Sequence, residues 1–161
     1  MSPVPDGREA SPIRIRRYRS ADLPKLRRLW RRSGIHLSPS DTAPEMTRAL
    51  RRDPDLFLVA ERDAQVVGTV LGRFDGRRGW VNHLAVDPGL RSRGVGTRLM
   101  TELEDRLRAK GCPKVNLHVT LRNRDVARFY ELIGYARSDL IFMEKWLRPA
   151  RRRSSRARAN T

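Results

Sequence analysis

Apolar and polar residues alternate, then recur at helical spacing, then alternate again along this chain, and the switches mark out its elements. Ile13 and Ile15 alternate with Arg14 and Arg16, the pattern of an edge strand. Leu23, Leu26, Leu29 and Trp30 recur three and four apart, giving a helix one apolar stripe, with Arg27, Arg28, Arg31 and Arg32 on its other face. Ser20 or Asp22 is placed to cap that helix, and Pro24 suits its first turn. After a loop from Gly34 to Asp41 that contains His36, Thr42 and Glu45 have capping-box spacing. A second short helix through Met46, Ala49 and Leu50 follows.

Leu56 to Glu61, Val66 to Phe74 and Trp80 to Val86 are rich in β-branched and aromatic residues and are separated by turn-forming stretches, which predicts an antiparallel meander. The period then becomes helical: Val95, Leu99, Leu103 and Leu107 lie four apart, and Gly111 supplies a stop. Val115, Leu117 and Val119 alternate as another strand. Asn123 is placed to cap a helix running through Phe129 and Leu132 to Gly134, and a last strand is predicted over about Tyr135 to Leu147. The order β-α-α-β-β-β-α-β-α-β describes an α/β sandwich of mixed sheet and helices.

Residues 1–12 and 148–161 lack any apolar face and read as disordered tails around one domain, 13–147. Length agrees, since 161 residues suit one domain. No apolar run approaches the roughly 20 residues of a membrane span, and no secretory signal is visible near Met1. Cys112 is the lone cysteine, so neither an internal disulfide nor a cysteine zinc cluster is expected. A cytoplasmic protein without a metal is the expectation.

Charge changes the picture more. The chain holds 35 Lys and Arg against 18 Asp and Glu, and residues 148–161 carry six Arg and no acid. Such a field favours anionic partners such as phosphorylated cofactors, nucleic acid or acidic proteins. The bland explanation is genomic: only Lys25, Lys110, Lys114 and Lys145 among the bases are lysine, as a GC-rich genome would write surface cations.

The segment that carries chemistry runs from the strand ending at Val86, through Asp87-Pro88-Gly89-Leu90 and Arg91-Ser92-Arg93-Gly94-Val95-Gly96-Thr97, into the long helix. Two glycines at a strand-to-helix junction allow close backbone approach to a ligand, and the first amides of the helix favour an anion. Arg91, Arg93 and Arg98 add cations, so a phosphate or pyrophosphate belongs here. A dinucleotide fingerprint needs a third Gly where Leu99 stands, and a P-loop needs Gly-Lys-Ser/Thr, which is absent. An ordinary turn remains the plain alternative.

Arg91-x-x-Gly94-x-Gly96 after Leu84-Ala85-Val86-Asp87-Pro88 resembles the acetyl-CoA signature of the GNAT N-acetyltransferases. Asn123, Phe129-Tyr130-Glu131 and Gly134-Tyr135 resemble that family's closing motif. Leu56 to Thr69, Gly111-Cys112-Pro113-Lys114 and Tyr130 to Tyr135 look most like YpeA-like bacterial enzymes near the RimI-like branch. The resemblance covers about Ile13 to Leu147 and implies a mostly antiparallel sheet flanked by helices on both faces. It also implies acetyl-CoA as cosubstrate. The backbone of Leu84, Ala85 and Val86 would pair with its pantetheine arm and supply an N–H to the thioester carbonyl. The amides of Ser92, Arg93, Gly94, Val95, Gly96 and Thr97, with Arg91 beside them, would hold its pyrophosphate, and Asn123 would contact the arm. Tyr130 would protonate the departing thiolate after direct attack by an amine, leaving Cys112 a bystander.

The departures concern the acceptor side. RimI-like enzymes carry a glutamate five residues before the Asn, and here that position is His118, able to take a proton through water. A lone strand histidine is more often merely packed or solvated, so His118 or ordered water stays open as the base. His83 and His36 are further candidates, and Val126 with Ala127 replaces the family's usual Ala. Tyr130 has its own plain reading as a core residue. The acceptor is a small-molecule amine, an amino acid or a protein N-terminus, and the basic first helix disfavours a polyamine. A different class of function also fits: a GNAT-shaped module holding nucleic acid, a ribosome or an acidic partner through its Arg-rich surface and tail. No nucleic-acid motif supports it. The oligomeric state, a homodimer included, has no readable code.

Overall fold

The computed structural model describes residues 11–39 and 41–147. Strands β1 (Arg14–Arg17), β2 (Phe57–Arg62), β3 (Gln65–Phe74), β4 (Gly79–Val86) and β5 (Val115–Leu117) form one sheet in chain order. The first four are antiparallel, and β5 lies parallel to β4. Helices α1 (Leu23–Arg32), α2 (Ala43–Arg52), α3 (Val95–Ala109) and α4 (Arg124–Leu132) cover it. Among the described residues no helix is long and apolar enough to cross a membrane. The tails expected at 1–12 and 148–161 lie outside the described residues, save 11 and 12, which have no regular structure.

Strand β2 shows why the sheet is covered twice. Leu56, Leu58 and Ala60 enter one core with Val95, Leu99, Met100, Leu103 and Leu107 of α3, whereas Phe57 and Val59 enter the other with Leu26, Leu29 and Trp30 of α1 and Met46 of α2. Successive side chains of a strand point to opposite faces, so a continuous apolar run demands helices on both. Close approach of α3 depends on glycines in β3: a Cβ on Gly68 would stand 3.0 Å from Leu99, and one on Gly72 would collide with Leu103.

A half-buried ion cluster closes the β1 edge. The Arg16 guanidinium donates to both Asp22 oxygens at 2.8 and 2.9 Å and to Glu61 at 2.6 Å. Burial works to raise the Asp22 pKa, but Arg16 and the Arg19 amide outweigh it and hold the carboxyl below its ordinary range. Glu61 is also lowered, chiefly by Arg16.

Three expectations need correction. Asp22 stands before α1 without capping it, because its carboxylate turns back to Arg16 and the Arg19 amide. Strand β5 stops at Leu117 and excludes Val119. The last strand is absent: residues 135–147 have no regular structure, and Leu140, Ile141 and Met143 are exposed. The apolar run 140–143 is unbroken, so it specifies no face, and a three-residue β5 offers little template for pairing.

Two stability outcomes follow. Both carboxyls have lowered folded-state pKa values, so their contribution is complete above the ordinary carboxylate range and is lost as pH falls through the folded values. Arg16→Ala therefore destabilises by about 3 kcal/mol near neutrality, because it strands a buried carboxylate, and the deficit shrinks below about pH 4. Urea melts at pH 7 and pH 3 measure it, and an equal deficit at both would refute the account. Gly72→Ala costs about 1–3 kcal/mol by overpacking against Leu103, read in the same melts.

Candidate active site

The register of β4 creates the site. On one side Thr69 pairs with Ala85 and Leu71 with Asn82, so His83 and Leu84 together oppose Val70 in a β-bulge. His83 adopts φ of 50° there. On the other side only Gly79, Trp80 and Val81 pair with β5. Beyond Val81 the two strands part, and the backbone of Leu84, Ala85 and Val86 has no β5 partner.

Strand β4 leads into a loop shaped for an anion. Asp87 accepts from the Gly89 amide at 3.0 Å and closes a 3-10 turn over Pro88–Leu90. Ser92 and Gly94 then take left-handed φ values of 60° and 77°. Alternating left- and right-handed residues turn successive amides inward, and α3 begins at Val95 with its first amides free of helical partners. The two glycines differ in purpose. Gly94 is needed for its dihedral angle, whereas a Cβ on Gly96 would meet Phe129 at 3.3 Å, so Gly96 lets α4 approach α3. The arginines are less concentrated than the sequence implies: Arg98 reaches the Ile13 carbonyl at 3.0 Å and Arg91 the Ser33 carbonyl at 3.4 Å, while Arg93 is exposed.

Helix α4 is locked by its own C-terminus. The Tyr135 amide donates to the Tyr130 carbonyl and the Gly134 amide to that of Glu131, the paired bonds of a Schellman motif, with Gly134 at φ 99°. The motif sets the Tyr135 ring edge-on to Tyr130 at 5.7 Å, and the Tyr135 hydroxyl donates to Glu104 of α3 at 2.9 Å. Tyr130 is buried, and burial pushes its hydroxyl up to about 12. Asn123 occupies the N-cap position of α4 without a side-chain cap bond and is exposed.

These arrangements together match a known family. Residues 23–135 fit the acetyltransferase (GNAT) family. The chain belongs to that family. It is 39% identical over 135 residues to the acetyltransferase ECA0875 of Pectobacterium atrosepticum, covering 84% of this chain and 96% of that one. Among solved structures it resembles Ard1 from Thermoplasma volcanium, with 26% identity, TM-score 0.69 and coverage of 77% and 82%. It also shares the fold of PaiA N-acetyltransferase from Thermoplasma acidophilum, solved with coenzyme A, with 21% identity, TM-score 0.71 and coverage of 81% and 93%.

Within this GNAT frame the two faces of β4 divide the labour. Val81 packs toward α3, so Trp80 points to the α1–α2 face, where its ring lies 5.5 Å from that of His118. The Phe142 ring also lies 4.4 Å from that of His118. His118 is exposed at the end of β5, and no carboxylate among the described residues bonds to it. His36 is exposed on the α1–α2 loop. Sequence reasoning ranked His83 low and missed Asp41 altogether. Asp41 Oδ2 lies 3.2 Å from His83 Nε2, and the His83 ring leans on Trp30 at 4.9 Å. No spacing rule links residues 42 apart, so only the folded chain reveals the pair.

The two loop glycines should separate by substitution. Gly94→Ala costs about 1–2 kcal/mol through its left-handed backbone, whereas Gly96→Ala stays near neutral because helix propensity offsets a tight contact with Phe129. Thermal melts of both variants check the order, and a reversed order would contradict the geometry.

Proposed function

We propose that this acetyltransferase moves the acetyl group of acetyl-CoA to a primary amine by direct attack, in the cytoplasm, where a lone thiol such as Cys112 stays reduced. One observation carries the reading: the edge of β4 beyond Val81, which lacks a strand partner though the Ser33 hydroxyl donates to the Val86 carbonyl at 3.2 Å, runs into the left-handed turn at Ser92 and Gly94 and the first amides of α3. An extended arm that needs main-chain partners and ends in a pyrophosphate fits that sequence of groups. The backbone of Leu84, Ala85 and Val86 holds the arm, with an N–H at the bulge directed to the thioester carbonyl. The amides of Ser92 to Thr97 take the pyrophosphate, Arg91 and Arg93 add charge at the rim, and Asn123 meets the arm from α4.

Tyr130 supplies the proton for the leaving sulfur. Its raised pKa keeps the hydroxyl protonated throughout the working range, as a donor requires, and the Tyr135–Glu104 bond fixes where the ring stands. The acceptor enters from the α1–α2 face. His118, between Trp80 and Phe142, stands on its rim, and His83 lies deeper in the bulge. Because the thioester is already activated, positioning supplies most of the acceleration.

The cationic surface shapes the choice of acceptor. An open groove of about 420 Å³ lies between Lys25, Arg28, Arg31, Arg32, Gln65 and Val66, and Arg32 reaches Asp87 at the end of β4. This field suits an amine carried on an acidic molecule, such as an amino acid or an acidic protein N-terminus, and repels a polyamine.

Thiol release from acetyl-CoA is the test, across free amino acids, polyamines, aminoglycosides and N-terminal peptides, beside a calorimetric acetyl-CoA titration. Turnover is expected with amines on acidic molecules. Tyr130→Phe should lower kcat on the order of 100-fold with acetyl-CoA affinity retained. Spermidine acetylated faster than an acidic peptide would refute the acceptor assignment, and failure to bind acetyl-CoA would refute the whole reading.

A further inference from the structure

We infer that His83 is the group that takes the proton from the incoming amine, and that Asp41 is the positioning residue that sets its tautomer. The inference rests on the acetyl-transfer reading above.

His83 Nδ1 is buried and has no hydrogen-bond partner among the described residues. A sealed polar atom without a partner costs about 1–3 kcal/mol, so such an orphan calls for an explanation. The second ring nitrogen shows which form the orphan has. Asp41 Oδ2 lies 3.2 Å from Nε2 and also accepts from the Ser38 amide at 2.6 Å, which fixes the carboxylate in the loop before α2. Burial works to raise the Asp41 pKa, but His83, the Ser38 amide and Arg73 of β3 together hold it below its ordinary range. A carboxylate only accepts, so in the neutral ring its neighbour Nε2 is the nitrogen that carries the hydrogen, and Nδ1 is then the one left with a bare lone pair. Trp30 covers the ring from α1 and brings no charge. The lone pair is therefore shielded from bulk water, and its fitting partner is an N–H delivered into the bulge.

The backbone around the imidazole is also held at a cost. A non-glycine residue at φ 50° is strained, and here two bonds and an ion-pair contact hold it. Thr69 Oγ1 donates to the His83 carbonyl at 3.1 Å, Trp30 Nε1 donates to that hydroxyl at 3.0 Å, and Asp41 Oδ2 lies 3.2 Å from the ring. Strain maintained by buried partners beside a reactive backbone is a mark of a placed group. His118 offers no equivalent: it is exposed, and its described neighbours are aromatic rings.

The step balances with groups already named. The acceptor nitrogen bonds to the acetyl carbonyl carbon while the bond from that carbon to the CoA sulfur breaks. The proton shed by nitrogen goes to His83 Nδ1, where the Asp41 carboxylate stabilises the imidazolium. The sulfur takes the Tyr130 hydroxyl proton. His118 meets the body of the acceptor and so affects its binding.

The test uses the panel's best amine and follows kcat against pH, which reports groups in the ternary complex rather than the free amine. His83→Gln should lower kcat on the order of 100-fold and erase the acid limb, with acetyl-CoA affinity unchanged within about twofold by calorimetry. Asp41→Asn should lower kcat about 10- to 100-fold, with partial rescue in Asp41→Glu. His118→Gln should raise the acceptor KM and keep the limb. An acid limb that persists in His83→Gln, or vanishes in His118→Gln, overturns the assignment while acetyl transfer stands. If His83→Gln does not fold, Asp41→Asn decides, because it keeps the side-chain shape, and an unchanged kcat profile there overturns the dyad. An unaltered protein that turns over no panel amine sinks the transfer reading first and this assignment with it.

Discussion

The structure turns on the misfit between β3 and β4. A regular ladder from Gly79 to Val86 would pair every residue and leave nothing for a ligand. Instead two residues of β4 face Val70, and the strand bends out of register with β3 just beyond the point where pairing with β5 ends at Val81. A bulge of this kind raises local twist and re-aims side chains. Here it places His83 on the same face as Trp30 while the freed edge of Leu84 to Val86 looks into the gap between the strands. The distortion costs about 1–3 kcal/mol at a left-handed histidine, and the buried chain from Trp30 through Thr69 to the His83 carbonyl is what maintains it.

The opposite wall of that gap is built by different means. Helix α4 has few buried residues of its own, so its place depends on particular contacts rather than on area. Gly96 lets Phe129 close in from α4, and the Schellman motif returns Tyr135 onto Tyr130 and ties it to Glu104. The family motif of a Tyr, a Gly four residues later and a second aromatic thus has a physical basis. The Gly permits the left-handed C-terminal turn, and the following aromatic packs edge-on against Tyr130.

Much of the fold was legible because burial on two faces leaves clear periodicity. The four-residue spacing of Val95, Leu99, Leu103 and Leu107 placed α3, and the β-branched runs placed the meander, to within a residue or two of the observed bounds. The end of the chain was not legible. An apolar run at 140–143 predicts a strand only if a template edge exists, and β5 offers three residues. The strand-to-helix turn at Arg91 to Thr97 was legible from its glycines, but not the division of tasks between Gly94 and Gly96, because one depends on a dihedral angle and the other on a partner 33 residues away. Asp22 shows the same limit. Its position suits a cap, yet Arg16 wins the carboxylate, since a bidentate charged pair outweighs a single bond to a helix amide.

A histidine set in this bulge differs from a base that works through solvent. A base that works through solvent must keep the pocket wet, and each water admitted weakens the dipoles aimed at the thioester. An imidazole with one nitrogen buried and the other beside a carboxylate would avoid that conflict, because it could accept one proton without admitting solvent. It needs a loop that delivers the carboxylate and a backbone that turns the ring inward. This chain has both: Ser38 and Asp41 are joined by two hydrogen bonds, one of them to the Asp41 carboxylate, and His83 takes the one conformation in β4 that a regular strand would forbid. Neither feature contributes to the hydrophobic cores, and the left-handed residue opposes stability. Their joint presence beside the free edge of β4 is what the proposed proton transfer would use.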